Sequence, residues 1–231
     1  MLGSPTRRSS RGLRLAVLAS AVLAAVAVSA PAAQAARCGQ DYSYAGVVSQ
    51  RAGGGIRTTL TALTTPDVPW GHVAGWVGVG GVGQGPGGVT EWVQVGYSGF
   101  FGGESHLYYE VTRPGGSPTY TDVKTVHVGD TNRVAVAEMR GKRNWWRVWV
   151  NGSPVSKPIH LPGSHRRWAP IATAESWNAG KGTCNGLAYK FSKLAVASRP
   201  NAGWHAMRVG QTLQDSPYRV YRSRSGFVAR S

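Results

Sequence analysis

The chain has 231 residues, 26 Lys and Arg against 10 Asp and Glu, and a formal net charge of +16 at pH 7. So basic a chain suits anionic partners such as wall polymers, phosphate-rich envelopes or nucleic acid, or is charged for solubility alone; no RNA- or DNA-binding motif accompanies the charge. The few acids leave no carboxylate-rich run for a calcium cage.

Residues 1–35 read as a secretory signal peptide. Arg7, Arg8, Arg11 and Arg14 form a basic start, Leu15 to Ala30 is apolar, and Ala33-Gln34-Ala35 fits a small-x-small cleavage site. Arg7-Arg8 raises the twin-arginine export route, although Ser9-Ser10-Arg11 lacks the apolar residues expected after the pair. The apolar run is shorter than the ~20 residues of a membrane span. The expected product is a secreted protein of residues 36–231, with a net charge of +12 once the four signal arginines leave. Its length suits one domain with a sizeable core. Cys38 and Cys184, its two cysteines, most simply form one disulfide in an exported chain.

Along the mature chain no long 3.6-residue apolar period occurs. Short β-branched and aromatic runs recur instead between Gly, Pro, Asn and Asp: Val73–Val79, Glu91–Tyr97, Leu107–Thr112, Val123–Val128, Arg133–Met139, Trp145–Val150, Ile171–Trp177 and Leu187–Val196. Such a series predicts an all-β fold, an antiparallel β-sandwich spanning residues 36–197. Gly78–Gly88 holds seven glycines and reads as a mobile loop in preference to a close backbone approach. Asn151-Gly152 predicts a type I′ hairpin. In Trp145–Val150, the alternation puts Trp145, Arg147 and Trp149 towards solvent and Trp146, Val148 and Val150 towards the core. His160 and His165 sit in a Pro/Gly-bearing loop without zinc-ligand spacing. Residues 198–231 carry six arginines and one acid, Asp215. They read as a basic C-terminal segment, an appendage containing a hairpin from Tyr218–Tyr221 and Phe227–Ala229.

Two runs carry the candidate chemistry. In Glu91-Trp92-Val93-Gln94-Val95-Gly96-Tyr97, Trp92 shares a strand face with Gln94 and Glu91 points away. In Ile171-Ala172-Thr173-Ala174-Glu175-Ser176-Trp177, Trp177 shares a face with Glu175. Should both strands line one sheet face, an amide and a carboxylate converge on one substrate with no metal or cofactor. The same pattern also fits the polar face of a binding protein. Glu110 could face the same groove, but a surface or turn role is the expectation for it. A glycosidase normally needs two carboxylates ~5–10 Å apart, and no run places two acids on one strand face.

In order along the chain, Trp76-Val77-Gly78-Val79, Gln94-Val95-Gly96, Tyr108-Tyr109-Glu110, Val128-Gly129-Asp130 and Ala174-Glu175 resemble the motifs of the eqolisins, the glutamic peptidases. The resemblance runs from Gly71 to Trp177. It implies a concanavalin A-like jelly-roll sandwich, and a catalytic pair on Gln94 and Glu175 acting on a polypeptide substrate. In that family a Trp directly follows the catalytic Glu; here Ser176 does, and Trp177 comes one later. Trp76, Trp92 and Trp177 are the expected substrate-binding residues. The alternative is a non-catalytic sandwich that binds glycans or anionic cell-envelope polymers through tryptophans and arginines.

Overall fold

The computed structural model describes Cys38 and residues 42–231. The expected signal peptide lies outside the described residues. In chain order the strands are β1 (Tyr42–Ser49), β2 (Gly55–Ala62), β3 (His72–Gly81), β4 (Glu91–Phe100), β5 (Ser105–Thr112) and β6 (Thr119–Val126). Then come β7 (Thr131–Glu138), β8 (Trp145–Val150), β9 (Ser153–Pro154), β10 (Ile159–His160), β11 (Ile171–Trp177) and β12 (Ala188–Ala197). The last are β13 (His205–Ala206), β14 (Val209–Gln214), β15 (Arg219–Ser223) and β16 (Gly226–Arg230). They form two antiparallel sheets. The first has the order β14-β1-β11-β3-β4-β5-β6; the second runs β10-β8-β7-β2-β12-β16-β15, with β13 on β12 and β9 on β8.

Period-two alternation builds the core between the sheets. From the first sheet, Val77, Val93, Val95, Leu107 and Ala172 point inward. They meet Ile56, Leu60, Val134, Val136, Trp146 and Phe191 of the second. Each such fully buried aliphatic side chain stabilises the fold by about 1.5–3 kcal/mol relative to exposure. One polar chain crosses the core: Tyr97 donates its hydroxyl proton to Leu60 O (3.0 Å) and accepts from Asn132 Nδ2 (2.8 Å), and Asn132 Oδ1 accepts from Asn151 Nδ2 (2.9 Å). Burial pushes the Tyr97 phenol up to about 12. Asn151 and Gly152 take φ of 51° and 92°, the left-handed pair a type I′ turn needs, and close β8 onto the two-residue β9.

Three expectations differ from the structure. Tyr42–Ser49, Gly55–Ala62 and Val209–Gln214 are strands that the runs of apolar residues did not mark. The segment 198–231 is no appendage: β14 pairs with β1 in the first sheet, and the β15–β16 hairpin pairs with β12 in the second. Tyr218, Phe227 and Ala229 are buried, with Phe227 stacked on Phe191 at 4.4 Å. The described residues accordingly make one compact unit. The glycine-rich stretch begins inside β3, which runs through Gly81. A Cβ on Gly78 would meet Val93 O at 2.7 Å and the Gln94 Cβ at 2.8 Å, so here glycine permits close strand approach. The turn beyond it is tied down: Gln84 O accepts from Arg167 Nε (3.0 Å) and Trp168 Nε1 (2.9 Å).

The two cysteines are joined, Cys38 to Cys184, across 146 residues. The bridge fixes the start of the domain beside the loop that follows β11. Among the described residues no helix is long and apolar enough to cross a membrane.

Candidate active site

The outward face of the first sheet carries the candidate residues. Register puts Tyr44 opposite Glu175 and Glu175 opposite Ala74. Trp76 lies between Thr173 and Gly96, and Gln94 lies between Gly78 and Glu110. Tyr44, Glu175, Trp76, Gln94 and Glu110 therefore share one face. Gln94 and Glu175 stand on strands separated by β3, four positions apart along it. At ~3.3 Å per residue that is about 13 Å along the strand, with Trp76 midway.

The face is not a plain wet surface. Ala74, Trp76 and Tyr108 are buried there as a second small apolar cluster, against Tyr44 and Ile171. Gly96 keeps the floor open, since a Cβ on it would collide with the carbonyl of Gly75 and lie 2.6 Å from the Trp76 Cα.

Glu175 is held at both oxygens. Trp76 Nε1–H donates to Oε2 (3.1 Å), and His72 Nε2 lies 3.2 Å from Oε1. Its side chain is 12 % exposed. Gln94, 9 % exposed, donates an amide N–H to the Tyr108 hydroxyl at 3.0 Å. The Tyr108 phenol is pushed well above its ordinary range by burial, then by the charges of Glu175 and Glu110, against the Gln94 hydrogen bond. Tyr108 thus sits within the fields of both carboxylates while bonded to the amide. Glu110 accepts from Trp92 Nε1 at 2.9 Å. Burial raises its carboxyl above the usual range, the Trp92 bond opposes this, and the Glu175 charge raises it further. Glu110 faces the groove, in place of the surface or turn role that the sequence suggested.

An aromatic strip flanks this cluster. Tyr42 stacks on Tyr44 (6.4 Å) and on Trp177 (6.1 Å), His72 tilts against Trp177 (5.5 Å) and Phe100 (5.8 Å), and Tyr120 stacks on Tyr108 (4.9 Å). Tyr42, Phe100 and Tyr120 remain exposed. Of the three tryptophans singled out in the sequence, Trp76 and Trp92 thus hold carboxylates by their indole N–H groups, and Trp177 joins the strip. His72 escaped the sequence reading, and Tyr108 entered it only as a letter of the Tyr108-Tyr109-Glu110 motif, with no role given. Their signal was the same alternation: His72 is four positions before Trp76, and Tyr108 two before Glu110.

No family model matches the chain, and no curated protein sequence matches it. Solved structures do. Scytalido-glutamic peptidase with a peptide-based transition state analog superposes with a TM-score of 0.55 at 16% identity, over 82% of this chain and 98% of that one. SCP-B, a member of the eqolisin family of peptidases in complex with the tripeptide Ala-Ile-His, gives a TM-score of 0.52 at 14% identity, over 82% and 97%. The chain therefore has the β-sandwich fold of the eqolisin structures.

Proposed function

We propose that the protein is a secreted endopeptidase of the glutamic type, acting on polypeptide through Glu175 and Gln94. The observation that carries this reading is Glu175 itself: a largely buried carboxylate, anchored at both oxygens on the sheet face that also presents Gln94. Its carboxylate takes a proton from water as the water oxygen attacks a peptide carbonyl carbon. The oxyanion that forms accepts a hydrogen bond from the Gln94 amide. The protonated Glu175 then gives its proton to the leaving nitrogen, and the C–N bond breaks. Trp76 and His72 are positioning residues for the carboxylate, and Tyr108 for the amide. The exposed aromatics beside the cluster suit bulky apolar substrate side chains. The disulfide suits an oxidising, extracellular setting.

The test is turnover. Residues 36–231 should cleave a denatured protein at acidic pH, and Gln94→Ala should lower kcat about 10²–10³-fold through the lost oxyanion donor. A binding-only protein predicts no turnover at any pH, and retention of peptide or glycan that fails on Trp177→Ala.

A further inference from the structure

The second sheet carries a groove of its own on its outward face. It encloses about 570 Å³ and is lined by Arg57, Arg133, Arg147, Trp149 and Trp204 over a floor that includes Ala135 and Ala137. Register explains the shape. Arg57 on β2 opposes Ala135 on β7, which opposes Trp149 on β8; one step along, Gly55 opposes Ala137, which opposes Arg147. On the other side Arg57 and Gly55 oppose Ala195 and Ala197 of β12. Alanine and glycine thus make a low channel between two tryptophan walls.

The charge in this channel is uncompensated. Among the described residues, every carboxylate ion pair uses histidine, and no Arg or Lys makes one. The one acid that lines the groove, Glu138, is buried, with both oxygens on His165 Nδ1 (2.9 Å each) and one also on Asn144 N (2.8 Å). Arg147 Nε is buried without a hydrogen-bond partner. Burial, and next the neighbouring Arg133 charge, lower the Arg57 guanidinium from its ordinary value, which marks like charges held together. A second hollow of about 480 Å³ continues the channel past Arg57 and Arg133 to Lys193. Holding unpaired cations in a row raises the energy of the empty protein, and an anion relieves it.

We propose that this groove binds a linear polyanion, reading closely spaced phosphate or sulfate groups with Arg57, Arg133 and Arg147. Guanidinium forks match tetrahedral oxyanions, two N–H donors at a time. Nucleic acid fits less well. Single-strand readers stack successive bases on open aromatic faces, whereas one face of Trp204 is already covered by the Arg57 guanidinium at 4.8 Å. The site lies on the sheet opposite Glu175 and Gln94 and does not depend on the peptidase reading.

Binding of long-chain inorganic polyphosphate and of heparin to residues 36–231 should be measured against salt, with single-stranded DNA as competitor. Polyphosphate or heparin binding supports the proposal, and the tighter of the two names the source of the oxyanions. Arg57→Gln with Arg133→Gln should weaken binding at least tenfold and reduce the log–log salt slope by about 1.4, taking ~0.7 per lost contact. Ala135→Glu, which adds a carboxylate to the floor and removes no arginine, should do as much with the melting temperature kept. Arg222→Gln with Arg224→Gln, an equal charge change on the C-terminal hairpin, should do much less. Equal loss in the hairpin variant would overturn the proposal, as would DNA outcompeting both polyanions through the same groove residues.

Discussion

At the scale of single residues, the site is a set of polar atoms held by indoles and phenols. Glu175 has one N–H donor from Trp76 and one contact from His72. A hydrogen bond to a charged group contributes about 1.5–3 kcal/mol. If the carboxylate is the base, Trp76→Phe should cost roughly 10–10²-fold in kcat. KM should change little, since the ring volume is mostly kept; kcat unchanged with KM raised would make Trp76 a substrate contact instead. Gln94 and Glu175 were legible in the sequence because each shares a strand face with a tryptophan. Glu110 and Tyr108 were legible only as letters of a motif. Their place depends on β5 pairing with β4 in the register Gln94–Glu110, and strand pairing is long-range information that a local alternation does not contain.

At the scale of elements, β4 carries Gln94 outward and Glu91 inward at the sheet margin. Glu91 is fully buried, and neither of its carboxylate oxygens has a hydrogen-bond partner. Burial raises its carboxyl above the ordinary value, with Arg167 opposing. A carboxyl raised in the folded state binds more protons there than in the unfolded chain. Its stabilising contribution is complete below the unfolded value and is lost as pH rises through the folded one. The melting temperature should therefore rise on acidification from pH 7 towards 4.5, and Glu91→Gln should flatten that rise and raise stability at pH 7. A variant with the wild-type pH slope would show that Glu91 ionises freely. The Tyr97–Asn132 link should be worth about 1–3 kcal/mol, the penalty for leaving a buried partner unsatisfied, read as the drop in unfolding free energy for Asn132→Ala. Most long strands were visible as β-branched runs. β2 was not, although Gly55–Ala62 reads Gly-Ile-Arg-Thr-Thr-Leu-Thr-Ala with four β-branched residues, because Arg57 and the hydroxyls of its threonines leave no continuous apolar run. The β15–β16 hairpin was legible from the alternation of Tyr218–Tyr221 and Phe227–Ala229, but its exposed arginines gave the segment the composition of an appendage while Phe227 and Ala229 packed inside; β14, Val-Gly-Gln-Thr-Leu-Gln, has too few apolar residues to mark a strand.

At the scale of the whole molecule, two sheets offer two faces with different chemistry. One gathers carboxylates, an amide and aromatic rings; the other gathers unpaired arginines. The disulfide spans 146 residues, and in the chain-entropy model such a loop contributes roughly 5 kcal/mol. Reduction should lower the melting temperature of the protein; an unchanged value would mean that the bridge constrains little. The central claim remains that Glu175 is the catalytic base and acid. Its most direct test is cleavage of one denatured protein by the wild type and by Glu175→Gln at the same acidic pH. The expected result is turnover by the wild type and none by the near-isosteric variant, with both chains melting within a few degrees of each other. Turnover that survives Glu175→Gln would contradict the account.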